Sequence, residues 1–170
     1  DSGEYYFHID KINGESIDLT KDPMWDAVGN KAKFMSDETR PRFNFGYSET
    51  HFAGGEKPGE LGGLFFRGDC RYPEKLAYYG AKTEMLTLSK SLRASGKVAF
   101  KRGVSDSTTL FGFFHAEHSV RVHDSQKTGM PSDFVGFAIE GPSAQGFYAY
   151  PCYRVHDGDS SSGYPENIPR

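Results

Sequence analysis

Tyr148, Tyr150, Cys152 and Arg154 fall at alternate positions in the stretch 134–154, and Glu140 stands in the same stretch. A β-strand sends alternate side chains to one side. This spacing therefore predicts a single face carrying two tyrosines, a thiol and a guanidinium. Glu140 falls on a face with Gly136 and Ala138. In 108–116, Thr109, Phe111, Phe113 and His115 share one face, and Leu110, Gly112, Phe114 and Ala116 share the other. The small residues Gly112, Gly136 and Ala138 either leave a shallow depression beside larger neighbours or let sheets pack closely. A groove edged by Tyr, His, Arg and Glu suits a sugar: rings stack on pyranose C–H faces, and charged groups bond hydroxyls or pair with uronate or sulfate. The expected ligand-binding set is Tyr148, Tyr150, His115, Arg154 and Glu140, along one exposed sheet surface.

Other combinations would do other chemistry. Glu60, Glu117 and Glu140 are candidates for a glycosidase pair, which needs two carboxyls ~5 Å apart for retention and somewhat more for inversion; nothing in their spacing brings two together. His115, Glu117, His118 and His123 cluster in sequence as a candidate metal site, but without the H-E-x-x-H pattern, and on a strand His118 points away from His115 and Glu117. A lyase would need a base (His115 or His118), an acid (Tyr148 or Tyr150) and a carboxylate neutraliser (Arg67 or Arg154). Asp157 and Asp159 in HDGDSSSG offer alternate oxygens in a flexible loop, a pattern that suits structural Ca²⁺, although the glutamate of an EF-hand loop is missing. On this balance the chain leans away from being an enzyme.

The elements that must position these residues read as strands. KVAFKRGVSDSTTLFGFFHAEH (97–118) and DFVGFAIEGPSAQGFYAYPCYR (134–154) each read as strand, turn, strand, which predicts four adjacent antiparallel strands. Earlier strands are expected at Tyr5 to Ile9, at Ser16 to Leu19 after an Asn13-Gly14 turn, at Arg42 to Gly46 and at Leu61 to Arg67. Short strands are expected at Leu76 to Tyr79 and Met85 to Leu88. Asp22-Pro23 could start a helix, but Gly29-Asn30 limits it to one turn. Trp25 is expected in the core. Residues 155–170 read as a loop-like tail. With few helical stretches, a second sheet must cover the first. The fold class is thus all-β, an antiparallel β-sandwich, with residues 1–170 forming one domain.

Composition agrees with many turns and strands: 20 Gly, 10 Tyr and 14 Phe against one Trp. A net charge of −3 leaves no electrostatic footprint for nucleic acid. There is no run of ~18 apolar residues to span a membrane. Cys70 and Cys152 are too few for a disulfide scaffold. They are either two buried thiols or one bridge, worth roughly 4–5 kcal/mol by loop closure.

FNFGY (43–47), GELGG (59–63) with FFR (65–67), LAYYGA (76–81), LRASGKVAF (92–100) and TLFGFFHAEHS (109–119) together resemble a concanavalin A-like jelly-roll module of large secreted bacterial proteins associated with carbohydrate-active enzymes. The resemblance covers about residues 20–154 and implies two stacked antiparallel sheets whose concave face binds or cuts polysaccharide. It brings no catalytic motif. Jelly rolls of this kind need more strands than the chain supplies, so the module is expected to be incomplete at its C-terminus and joined to other domains. The expected function is non-catalytic polysaccharide binding by a secreted or cell-surface module. The alternatives are a polysaccharide lyase or glycoside hydrolase on the same sheet face, and a structural or interaction domain of a larger extracellular protein.

Overall fold

The computed structural model describes residues 2–31, 43–66, 76–87, 89–105, 107–119, 130–156 and 159–169. These residues are all-β. The strands are β1 (Ser2–Ile12), β2 (Glu15–Ser16), β3 (Asp26–Val28), β4 (Asn44–Ser48), β5 (Glu60–Phe66), β6 (Tyr78–Gly80), β7 (Ala94–Arg102), β8 (Thr108–Phe114), β9 (Phe134–Ser143), β10 (Gly146–Arg154), β11 (Ser160–Ser162) and β12 (Glu166–Ile168). Every pairing among them is antiparallel. Among the described residues no helix is long and apolar enough to cross a membrane. The strands belong to two compact units, one ending at Arg102 and the other built on the chain from Gly103.

In the first unit, β1 lies between β5 and β7, with β4 beyond β5 and β2 closing a hairpin on β1. The hairpin turn is Asn13-Gly14, both with positive φ (49° and 91°), as a tight reversal of this kind requires. Tyr5 and Tyr6 point to opposite faces of β1, yet both are buried. Tyr5 meets Phe65 and Phe100 edge-on, each at 5.7 Å, while Tyr6 packs against Phe52 at 4.8 Å. Phe45 stacks on Phe65 at 4.2 Å. The ladder between β4 and β5 depends on Gly63: at φ 133°, a Cβ there would stand 2.2 Å from the Asn44 carbonyl oxygen.

The Asp22-Pro23 segment forms no helix. The Asp22 carboxylate instead accepts the Met24 N–H at 2.8 Å, closing a local turn with Met24 at φ 52°. Trp25 is half-buried and stacks on Tyr79 beside the β3–β6 ribbon, so the expected core plug is an edge contact. Residues 85–87 form no strand, and Leu88 lies outside the described residues.

The second unit is a five-stranded sheet in the order β11-β10-β9-β8, with β12 also on β10. Its core joins Phe134, Ala138 and Cys152 to Leu110, Phe114, Met130 and Tyr150. Two expectations are corrected here. The stretch 97–118 is not a hairpin: β7 pairs with β1 and β8 with β9, in separate sheets, so the four strands do not lie side by side. The tail is not all loop either. Ser160–Ser162 and Glu166–Ile168 both pair with β10, because an edge strand needs free backbone groups to bond and little from its side chains.

Candidate functional site

Two side-chain clusters lie in the second unit. The first follows from register. Glu140 sits between Thr108 on β8 and Tyr148 on β10, and Ala138 sits between Leu110 and Tyr150. Directly opposed residues share a face, so Glu140, Tyr148 and Tyr150 stand on one side of the sheet. With Ser162, Gly163 and Pro165 of the tail they line an open pocket of about 330 Å³. The Tyr148 hydroxyl donates to Gln145 Oε1 at 2.9 Å, which fixes its ring. Burial, then the nearby Glu140 charge, pushes the Tyr150 hydroxyl pKa up, so it stays a neutral donor. Glu140 itself is exposed.

The other expected ligand residues lie elsewhere. Arg154 shares the tyrosine face but pairs with Phe134, six positions or ~20 Å along the strand from Tyr148. It is 4% exposed, and its Nη1 donates to the Met130 carbonyl at 2.8 Å, holding that loop. His115 follows the last residue of β8, at the same end as Arg154. At Gly112, Gly136 and Ala138 the small residues serve close strand packing, although Gly112 stays exposed. Gly112 and Gly136 face each other so closely that a Cβ on Gly136 would stand 2.6 Å from the Gly112 Cα, and Ala138 is buried in the core. Cys152 is a free, buried thiol whose pKa burial raises; Cys70 lies outside the described residues.

The second cluster gathers where β8 ends, β9 begins and β10 ends. Phe114, Phe134 and Arg154 are in register, so residues just beyond them meet at one sheet edge. Asp133 Oδ2 lies 2.8 Å from His118 Nδ1 and 3.0 Å from His156 Nδ1. The His115 ring stacks on His118 at 3.9 Å and 14°. Asp133 has φ 52°, rare for a non-glycine residue. That backbone is pinned: the Asp133 carbonyl accepts the His115 N–H at 3.2 Å, and Ser119 Oγ donates to the Ser132 carbonyl at 2.7 Å. Partial burial opposes ionisation of Asp133, but the bonds from His156 and His118 outweigh it and hold its pKa below the usual carboxylate range.

Compared with protein-family models, with curated proteins and with solved structures, the chain has no match. The chemistry of the two clusters therefore stands on geometry alone.

Of the expected set, then, Glu140, Tyr148 and Tyr150 come together, while His115 and Arg154 lie at the other end of the sheet. Of the calcium pair, Asp157 lies outside the described residues, and Asp159 is an exposed residue of the turn from β10 to β11. His123 and Arg67 are also outside the described residues. Asp133 and His156 were missed. Hairpin register was the available signal, since antiparallel neighbours bring the end of one strand to the start of the next.

Proposed function

We propose that this chain is a non-catalytic carbohydrate-binding module of a secreted or cell-surface protein, and that it takes polysaccharide in the Glu140, Tyr148 and Tyr150 pocket. The observation that carries this reading is the shared position of two tyrosine rings and an exposed carboxylate on one open wall. The rings offer apolar faces for a pyranose, and Glu140 offers a charged acceptor for its hydroxyls. Ser162 adds a hydroxyl to the same wall. The β-sandwich and its concanavalin A-like jelly-roll form belong to the same proposal and rest on the glycine and aromatic pattern of the sequence.

The test is affinity electrophoresis through neutral, uronate-bearing and sulfated polysaccharides. Retardation by at least one is expected. Tyr148→Ala should weaken binding by about tenfold or more, near 1.4 kcal/mol, while His115→Ala should leave it unchanged. No retardation by any polysaccharide overturns the reading. Release of reducing ends or unsaturated products, lost in Glu140→Gln with binding retained, would make the pocket an active site.

A specific observation favours a second reading, an interaction domain. On the opposite face of the same sheet, Val135, Phe137 and Tyr153 are 42%, 55% and 44% exposed, and Val135 lies directly across from Tyr153. Contiguous exposed apolar side chains of this kind mark protein-protein contacts. Self-association lost in Phe137→Ser, in a protein that binds no glycan, would select this reading.

A further inference from the structure

We propose that His118, Asp133 and His156 form a binding site for a divalent first-row transition cation, for which Zn²⁺ and Co²⁺ are the probes. One ligand atom from each residue lies within 4.8 Å of the other two. Both imidazoles aim a nitrogen at a single oxygen, Asp133 Oδ2, at 2.8 and 3.0 Å. Each of those nitrogens must carry a proton to bond the carboxylate. A divalent cation can take the place of both protons, because metal ligation and proton release are coupled. Bonds of ~2.1 Å in tetrahedral geometry place ligand atoms ~3.4 Å apart, so the two nitrogen–oxygen contacts at 2.8 and 3.0 Å open by about half an ångström and the widest pair, within 4.8 Å, closes to match.

The donor set selects the ion. Two imidazoles and one carboxylate suit Zn²⁺, Co²⁺ or Fe²⁺, whereas Ca²⁺ takes six to eight oxygens. The surroundings favour a preformed site. Its ligands come from three chain segments, two of which are tied to each other. Ser119 and Ser132, both buried, tie the 115–119 and 130–133 loops together, with Ser132 Oγ donating to the His118 carbonyl at 3.3 Å. His115 sets the plane of the His118 ring by stacking on it. The left-handed backbone of Asp133 aims its carboxylate between the imidazoles, an unfavourable conformation of the kind that concentrates at functional sites. His156 is largely exposed, at 69%, which leaves coordination positions open to water or an external ligand.

The experiment strips the whole chain with a chelator and titrates Zn²⁺ against a chromophoric competitor, and separately follows Co²⁺ by its visible d–d bands. One ion per chain is expected, with no competition from excess Ca²⁺. His156→Gln, at an exposed position that should not disturb folding, should weaken Zn²⁺ binding at least ~10-fold, since even residues that only orient a ligand cost that much. Asp133→Asn should do the same and abolish the Co²⁺ bands. Absence of binding, binding undiminished in both variants, or preference for Ca²⁺ overturns the proposal.

Discussion

A carboxylate that is 1% exposed has to be surrounded by donors, and Glu60 is. Its Oε1 accepts from Thr50 Oγ1 at 2.5 Å and from the Phe52 N–H at 2.8 Å, and its Oε2 accepts from the Ala53 N–H at 2.8 Å. Thr50 spends its only proton on Glu60, so the 2.7 Å contact with Ser48 Oγ must have Ser48 as donor. Glu60 thus folds the 48–55 loop onto the first unit and seats Phe52 against Tyr6 and beneath the Lys101 ammonium, 4.1 Å above the ring. Glu60→Gln replaces one acceptor oxygen with a donor facing another donor, and should cost about 2–4 kcal/mol in urea denaturation. A cost under about 0.5 kcal/mol would contradict this role. By residue type alone Glu60 resembled a catalytic carboxylate as much as Glu140 did. Residue type carries no burial information, and here burial separates a loop anchor from a site residue.

Elements were legible where local chemistry decided them. The β9–β10 hairpin was legible as two alternating stretches around a turn, but its register was not: a register shift between Gly146 and Tyr148 brings Glu140, rather than Gly141, across from Tyr148 and so onto the tyrosine face. The same kind of pattern at 97–118 misled, because alternation shows that a segment is a strand but not which strand it joins. The pairing of β7 with β1 spans most of the first unit's sequence, and no local residue encodes it. The tail strands were hidden by Ser, Gly and Pro, although Ser162, Gly163 and Pro165 complete the pocket wall. Close strand approach makes a prediction at this scale. Gly63→Ala combines φ 133° with a backbone oxygen 2.2 Å from the new Cβ, and should cost about 3 kcal/mol or more. Gly54→Ala has a positive φ but nothing within 4 Å, and should cost only about 1 kcal/mol. Equal thermal-denaturation midpoints for the two variants would show that backbone angle alone governs both sites.

At the scale of the whole molecule, both units keep tyrosine hydroxyls protonated beyond their ordinary range, and this sets the response to alkali. In the first unit, burial, then the hydrogen bond to Glu4 at 3.0 Å, pushes Tyr6 from 10.0 up to about 12. In the second, burial and Glu140 raise Tyr150. Above pH 10 an unfolded chain releases the Tyr6 proton while the folded one keeps it, so the unfolded state binds fewer protons and folding stability falls as pH rises. The Tyr6 contribution is complete below pH 10 and is lost as pH climbs toward about 12. Urea denaturation of the wild type at steps from pH 8 to 11.5 should show stability declining above pH 10, and Tyr6→Phe should flatten that decline while leaving Glu4 accessible to solvent. The difference between the two curves isolates the hydroxyl from every other group that titrates in alkali. Parallel curves would mean that the Tyr6 hydroxyl ionises as freely in the folded protein as in the unfolded chain, and that the aromatic contacts around β1 do not exclude water from it.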